Sequence, residues 1–141
     1  MELHRLIYTS FRTPYCTDEE IDNILKSCEK NNPSKLLTGI LLHSKKRFIQ
    51  YLEGDKAFVL DLYNKIKEDK RHAGVSLRKY EPIDERIFPS WNMGYKDIKT
   101  DLLEFNSNVT GKELMQFENI LYGDPMTNSD VKLLKLFYEL N

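Results

Sequence analysis

Residues 36–54, LLTGILLHSKKRFIQYLEG, constrain the fold more than any other stretch. Residues 39–43 are almost entirely leucine, isoleucine and glycine, the composition of a strand covered on both faces. Ser44, Lys45, Lys46 and Arg47 form a short polar break, so the chain is expected to turn back on itself as a hairpin. The returning strand alternates: Phe48, Gln50 and Leu52 share one face, and Ile49, Tyr51 and Glu53 share the other. Gln50 therefore sits among apolar neighbours. A buried amide left without hydrogen-bond partners costs about 1–3 kcal/mol. Gln50 must then bond a neighbouring backbone group or water, or face a bound polar heterocycle.

The flanking segments supply the remaining elements. Residues 3–10 alternate as a strand, with His4, Leu6 and Tyr8 on one face, and Pro14 places residues 11–16 in a loop. Thr17 followed by Glu20 is a capping-box pattern opening a helix striped by Ile21, Ile24, Leu25 and Cys28. That helix is expected to stop near Asn31-Asn32, because Pro33 opposes continuation. Asp55 caps a second helix striped by Phe58, Val59, Leu62, Tyr63 and Ile66, with a polar exit at residues 68–72. Gly74 interrupts the pattern, residues 75–80 read as a fourth strand, and residues 90–95 as a short fifth one with Trp91 and Met93 on the same face. The order β-α-β-β-α-β with an added strand is an α+β, ferredoxin-like sandwich: one sheet with two helices on one face. Two further helices are expected over residues 113–122 and 130–140, which divides the chain into a domain at 1–97 and a helical extension at 98–141.

Composition excludes several classes. A net charge of −1 offers no electrostatic footprint for nucleic acid or an anionic membrane surface. No apolar run approaches the roughly 18 residues of a membrane span, and the first residues lack the pattern of a secretory signal. Cys16 and Cys28 have no metal-site or CxxC spacing, and two free thiols suit the reducing cytoplasm.

Six segments, taken in order, resemble the BLUF family of flavin-binding blue-light sensors. They are LIYTS with Tyr8, KNN with Asn31 and Asn32, LTGILL, RFIQYLEG with Gln50, DKRH with Asp69, Arg71 and His72, and FPSWNMGY with Trp91 and Met93. The resemblance runs from residue 3 to about residue 97. Ser90 stands where the family often has an acid, and Lys70 where it often has a proline.

The resemblance implies a non-covalently bound flavin, FAD with FMN or riboflavin as alternatives, lying between the two helices against the sheet. Asn32 would bond the carbonyl and imide edge of its ring, with Asn31 near the other carbonyl. Ile66 would pack on the ring, Arg71 and Lys65 would face the phosphate end, and Asp69 and His72 would complete the binding set. Tyr8 and Gln50 would be the photoactive pair: the phenol supplies an electron and a proton, and the amide reverses its hydrogen bonds by rotation or tautomerisation. Trp91 and Met93, on a last strand next to Gln50, would pass the change to the C-terminal helices, and through them to a homo-oligomer or partner protein. The chain would be a short, stand-alone sensor without turnover. Two rival classes are a small flavin-using oxidoreductase, which would reduce its flavin in the dark, and a ferredoxin-like binding protein, which would be colourless.

Overall fold

The structure, a computed structural model, describes residues 1–96, 103–105, 112–113 and 120. Its elements run β1 (Leu3–Arg12), α1 (Asp18–Ser34), β2 (Thr38–His43), β3 (Arg47–Asp55), α2 (Lys56–Glu68), β4 (His72–Pro82), β5 (Trp91–Lys96) and β6 (Leu103–Phe105). The sheet order is β4-β1-β3-β2-β5-β6. The first four strands of that order are the expected ferredoxin-like sheet, antiparallel throughout. β5 then joins β2 in parallel. β6, which no sequence signal announced, pairs with β5.

The hairpin forms as its alternation requires. Ser44 is fully buried in the turn, and its hydroxyl accepts from the backbone N–H groups of Lys46 and Arg47 at 3.3 and 3.1 Å. Both helices pack on the face carrying Leu6, Tyr8, Leu41, Phe48 and Leu52, where Ile21, Ile24, Val59, Tyr63 and Ile66 complete one core. The opposite face is buried too at Ile7, Ile40, Leu42, Ile49 and Tyr51, and the Phe88 ring lies 5.4 Å from that of Tyr51. β2 therefore has the two covered faces its composition demanded. Gly39 makes this packing feasible: its φ is +140°, and a Cβ there would land on the Tyr51 carbonyl oxygen.

Thr17 caps α1 by accepting from Glu20 N–H at 3.2 Å, and Asp55 caps α2 by accepting from Ala57 N–H at 3.3 Å. Four expectations need correction. α1 does not stop before Pro33 but runs through it to Ser34. A proline so near the end removes only its own N–H, and the last turn closes by tighter bonds, Lys35 N–H to Asn32 and Leu36 N–H to Pro33 at 3.1 and 3.0 Å. Phe58 does not belong to the buried stripe of α2 and is 43% exposed. β1 extends to Arg12, into the expected loop. β4 begins at His72, because Gly74, at φ +57°, is absorbed where the β1–β4 register shifts rather than ending the strand. Of the expected tail helices, residues 112–113 and 120 are helical, and the rest lies outside the described residues.

Candidate functional site

The β1–β3 register sets Tyr8 directly opposite Gln50 in the middle of the sheet. Both side chains face the helices, exposed by only 1% and 2%. The Tyr8 hydroxyl donates to Gln50 Oε1. Burial pushes the Tyr8 phenol well above its ordinary pKa, and the neighbouring Cys28, Asp69 and Tyr63 push in the same direction. The pair is thus a neutral phenol bonded to an amide, with the phenol's proton held in place at every physiological pH.

Above this pair lies a cleft of about 260 Å³ between α1 and α2. Tyr8, Gln50 and Leu41 contribute to its lining from the sheet, Ile24, Cys28 and Asn32 from α1, and Leu62, Lys65 and Ile66 from α2. Asp69 and Arg71 reach it from the turn that follows α2, and His72 from the first position of β4. The two adjacent asparagines part company, as successive residues on a helix must. Asn32 is buried, with its Nδ2 lacking any hydrogen-bond partner. Asn31 also borders the cleft but is exposed, and its Nδ2 donates to Ser27 Oγ at 3.0 Å. Burial raises the Cys28 thiol to about 12, against the lowering influence of the nearby Asn32 amide and the Arg71 charge.

Several of the cleft's charged residues pair with one another or with a neighbour. Arg71 forks onto Asp69 at 2.6–3.1 Å and reaches Glu20 at 3.0 Å. Lys65 pairs with Asp61 one turn earlier at 3.0 Å. His72 Nδ1 lies 2.8 Å from Ser10 Oγ, and its ring is 4.6 Å from Phe48 and 6.3 Å from Tyr8. Among the described residues, no cluster of His, Cys, Asp and Glu is placed to hold a metal.

Trp91 and Met93 are buried in the same core but do not line the cleft. They are also not on the strand next to Gln50. β2 intervenes: Leu41 pairs with Gln50 on one side and Met93 on the other. At about 4.8 Å per strand, Met93 is two strand spacings from Gln50, on the order of 10 Å away. Sequence reading did not single out Leu41, Cys28, Ser27 or Lys35 as lining residues. Cys28 could have been found, because it lies one helical turn from both Ile24 and Asn32.

Burial holds His72 and His43 near a pKa of about 4. Unfolded, each would titrate near 6.5, so between those values the unfolded chain binds more protons and stability falls as pH falls. The loss between pH 7 and 5 is at most roughly 2 kcal/mol per histidine. Glu53, whose carboxyl burial pushes above the usual range, works in the opposite direction. Urea unfolding at the two pH values should give the lower midpoint at pH 5; equal midpoints would contradict the burial of neutral imidazoles.

The family model for sensors of blue light using FAD, BLUF, matches residues 3–94. The chain belongs to the BLUF family. Its BLUF region is 35% identical over 92 residues to the beta subunit of a photoactivated adenylate cyclase from Euglena gracilis, covering 64% of this chain and 11% of that protein. The chain thus spans about a tenth of the length of the curated relatives it matches, and their cyclase activity is not carried over by the likeness. Among solved structures, the BLUF protein BlrB in its dark state is 27% identical, with a TM-score of 0.64 over 99% of this chain and 98% of that one. A bacterial light-regulated adenylyl cyclase is 32% identical, with a TM-score of 0.62 over 84% of this chain and 34% of that one. BLUF domains are blue-light sensors that use FAD, which agrees with the fold and cofactor expected from the six motifs.

Proposed function

We propose that the cleft between α1 and α2 is the flavin site and that Tyr8 and Gln50 are its photoactive pair. The observation that carries this is the direct Tyr8–Gln50 hydrogen bond at the cleft floor beneath an unpartnered, buried Asn32 amide. An amide presents a donor and an acceptor side by side, the complement of a ring edge that alternates carbonyl and N–H. Ile66 and Leu62 give the cleft an apolar wall for the ring face. Arg71, Lys65 and Lys35 provide cationic groups for a phosphate, and Arg71, through its pairs with Asp69 and Glu20, also positions the turn that leads into His72. Asn31, exposed and bonded to Ser27, takes a secondary place at the edge.

Bound flavin supplies absorption of blue light and an acceptor for an electron and a proton. The chain supplies the rest. Tyr8 gives up both from its phenol, and the loss of that proton removes the donor that fixes the Gln50 amide. Gln50 then reverses its hydrogen bonds, by rotation or tautomerisation, so that it donates where it had accepted. Leu41 and Met93, in line with Gln50 across β2 and β5, carry the change laterally. Residues 1–97 act as the sensor, and residues 98–141 carry the output contact, to another copy of this chain or to a partner. The free thiols of Cys16 and Cys28 favour a cytoplasmic setting. The direct test is an absorption spectrum before and after blue light, with sedimentation in both states. A yellow protein whose flavin band shifts and returns in darkness supports the reading; a colourless one, or a coloured one that does not shift, ends it.

Asn32→Ala is expected to weaken flavin binding by about 5- to 150-fold, the equivalent of the 1–3 kcal/mol lost when a buried polar edge loses its partner. Titration of flavin into stripped protein measures this. Affinity equal to that of the unaltered chain would remove Asn32 from the site.

A further inference from the structure

Glu53 is a fully buried carboxylate on the face of β3 away from the cleft. It does not touch the Tyr8–Gln50 pair. Its oxygens accept from the backbone N–H of Ile87 at 3.0 and 2.9 Å, from that of Phe88 at 2.8 Å, and from the Tyr51 hydroxyl at 2.9 Å. Its own carbonyl accepts from Arg86 Nη1 at 3.0 Å, and the same nitrogen reaches Thr38 Oγ1 on β2 at 2.7 Å. The segment so gripped, residues 86–88, leads directly into β5, which opens at Trp91. The start of β5 is held besides by its parallel pairing with β2, where Gly39 N–H donates to Ser90 at 3.2 Å, by the Phe88 ring against Tyr51 and by the burial of Trp91 in the core, none of which ties its entry to β3 by hydrogen bonds as Glu53 does.

We propose that Glu53 is a positioning residue for output: its carboxylate clasps the lead-in to β5 onto β3, the strand that carries Gln50, and this clasp makes Trp91 respond to Gln50. The physical reason is one of fixed ends. A lateral displacement passed from Gln50 through Leu41 moves β5 in a defined way only if the strand's entry is anchored to the displaced element's own strand. With the entry loose, the same push is absorbed by the loop. Burying a carboxylate is costly unless donors surround it, and here two backbone N–H groups and a phenol do. An apolar side chain of similar size would fill the space without holding the loop.

The inference rests on the photoreceptor reading above, and its test separates the two. Trp91 is the one tryptophan of the chain, so its fluorescence reports on β5 alone. Three flavin-loaded proteins are compared, the unaltered chain, Glu53→Leu and Glu53→Gln, by the flavin spectral shift, by Trp91 emission in darkness and light, and by acrylamide quenching. Gln keeps one carbonyl oxygen able to accept from both Ile87 and Phe88, and its amide N–H can donate to Tyr51. Glu53→Leu is expected to keep the flavin shift, lose the light-minus-dark change in Trp91 emission, and quench about threefold more readily in darkness, a local opening without global unfolding. Glu53→Gln is expected to behave as the unaltered chain. A role in packing alone would spare Leu and Gln alike, since both fill the space of the carboxylate. Trp91 behaving identically in Glu53→Leu and the unaltered chain, or Gln failing together with Leu, overturns the clasp.

A second measurement needs no variant. In the unaltered protein, the amides of Ile87 and Phe88 are expected to exchange at least about 100-fold more slowly than those of Asp84 and Glu85 in the same loop. Exchange at the rate of those neighbours overturns the proposal even if Glu53→Leu does not fold. Absence of any flavin shift in the unaltered chain would end the photoreceptor reading instead, leaving the clasp to be judged on the dark quenching and exchange.

Discussion

A Gln50→Leu chain is expected to purify yellow and to show no spectral shift under blue light. Gln50 is 2% exposed, sits opposite Tyr8 in the β1–β3 register and accepts its hydroxyl proton. Leucine has nearly the same volume, so no cavity opens, and the cost is chiefly that of the orphaned Tyr8 hydroxyl, about 1–3 kcal/mol. What leucine lacks is any group that can exchange donor for acceptor. Flavin content should stay close to normal because the Asn32 edge is untouched. Absorption spectra in darkness and after illumination decide the matter: a surviving shift would mean that Gln50 is not the switch.

Tyr8→Phe is expected to abolish the same shift for a different reason. The ring volume and its contacts with Tyr63 and His72, at centroid distances of 5.9 and 6.3 Å, are kept. The oxidisable phenol and its proton are lost, and Gln50 Oε1 loses its donor. The two variants differ in one observable. With Gln50→Leu, excited flavin still has a phenol nearby, so its emission should remain quenched; with Tyr8→Phe the quencher is gone and flavin fluorescence should rise. Similar low emission from both would show that the electron comes from elsewhere, and Trp91 would be the residue to examine next.

The central hairpin was legible because a period-2 pattern and a polar turn leave few alternatives, and parity alone put Gln50 on the inner face. Tyr8 was legible as an inner-face residue of β1, but its placement opposite Gln50 depends on the register of β1 along β3, a pairing across α1 and β2 that no local turn fixes. The position of β5 was not legible. Sequence order suggests neighbours, yet the strand joins β2 and not β3, which puts Leu41 between Gln50 and Met93. Glu53 was read only as an outer-face residue. A charged side chain on such a face is ordinarily solvated, and only the loop folding back over it, with two N–H groups aimed inward, reverses that expectation. The divergence of Asn31 and Asn32 was within reach of helical geometry, since consecutive residues stand about 100° apart.

The parallel seam between β2 and β5 also bears on how the chain folds. The β2–β3 hairpin closes through a three-residue turn, and β1 returns onto it across one helix. The seam, by contrast, joins Gly39 to Trp91 across β3, α2 and β4. Contacts so distant in sequence carry a large loop-closure cost and form after local ones. The β2–β3 hairpin, which carries Gln50, should therefore form first, and both outer strands should dock later: β5 along this seam, and β4 through a β1–β4 pairing of His4 with Pro82 that spans still more of the chain. The part of the molecule that would absorb the photon and the part that would report it are separated in folding time.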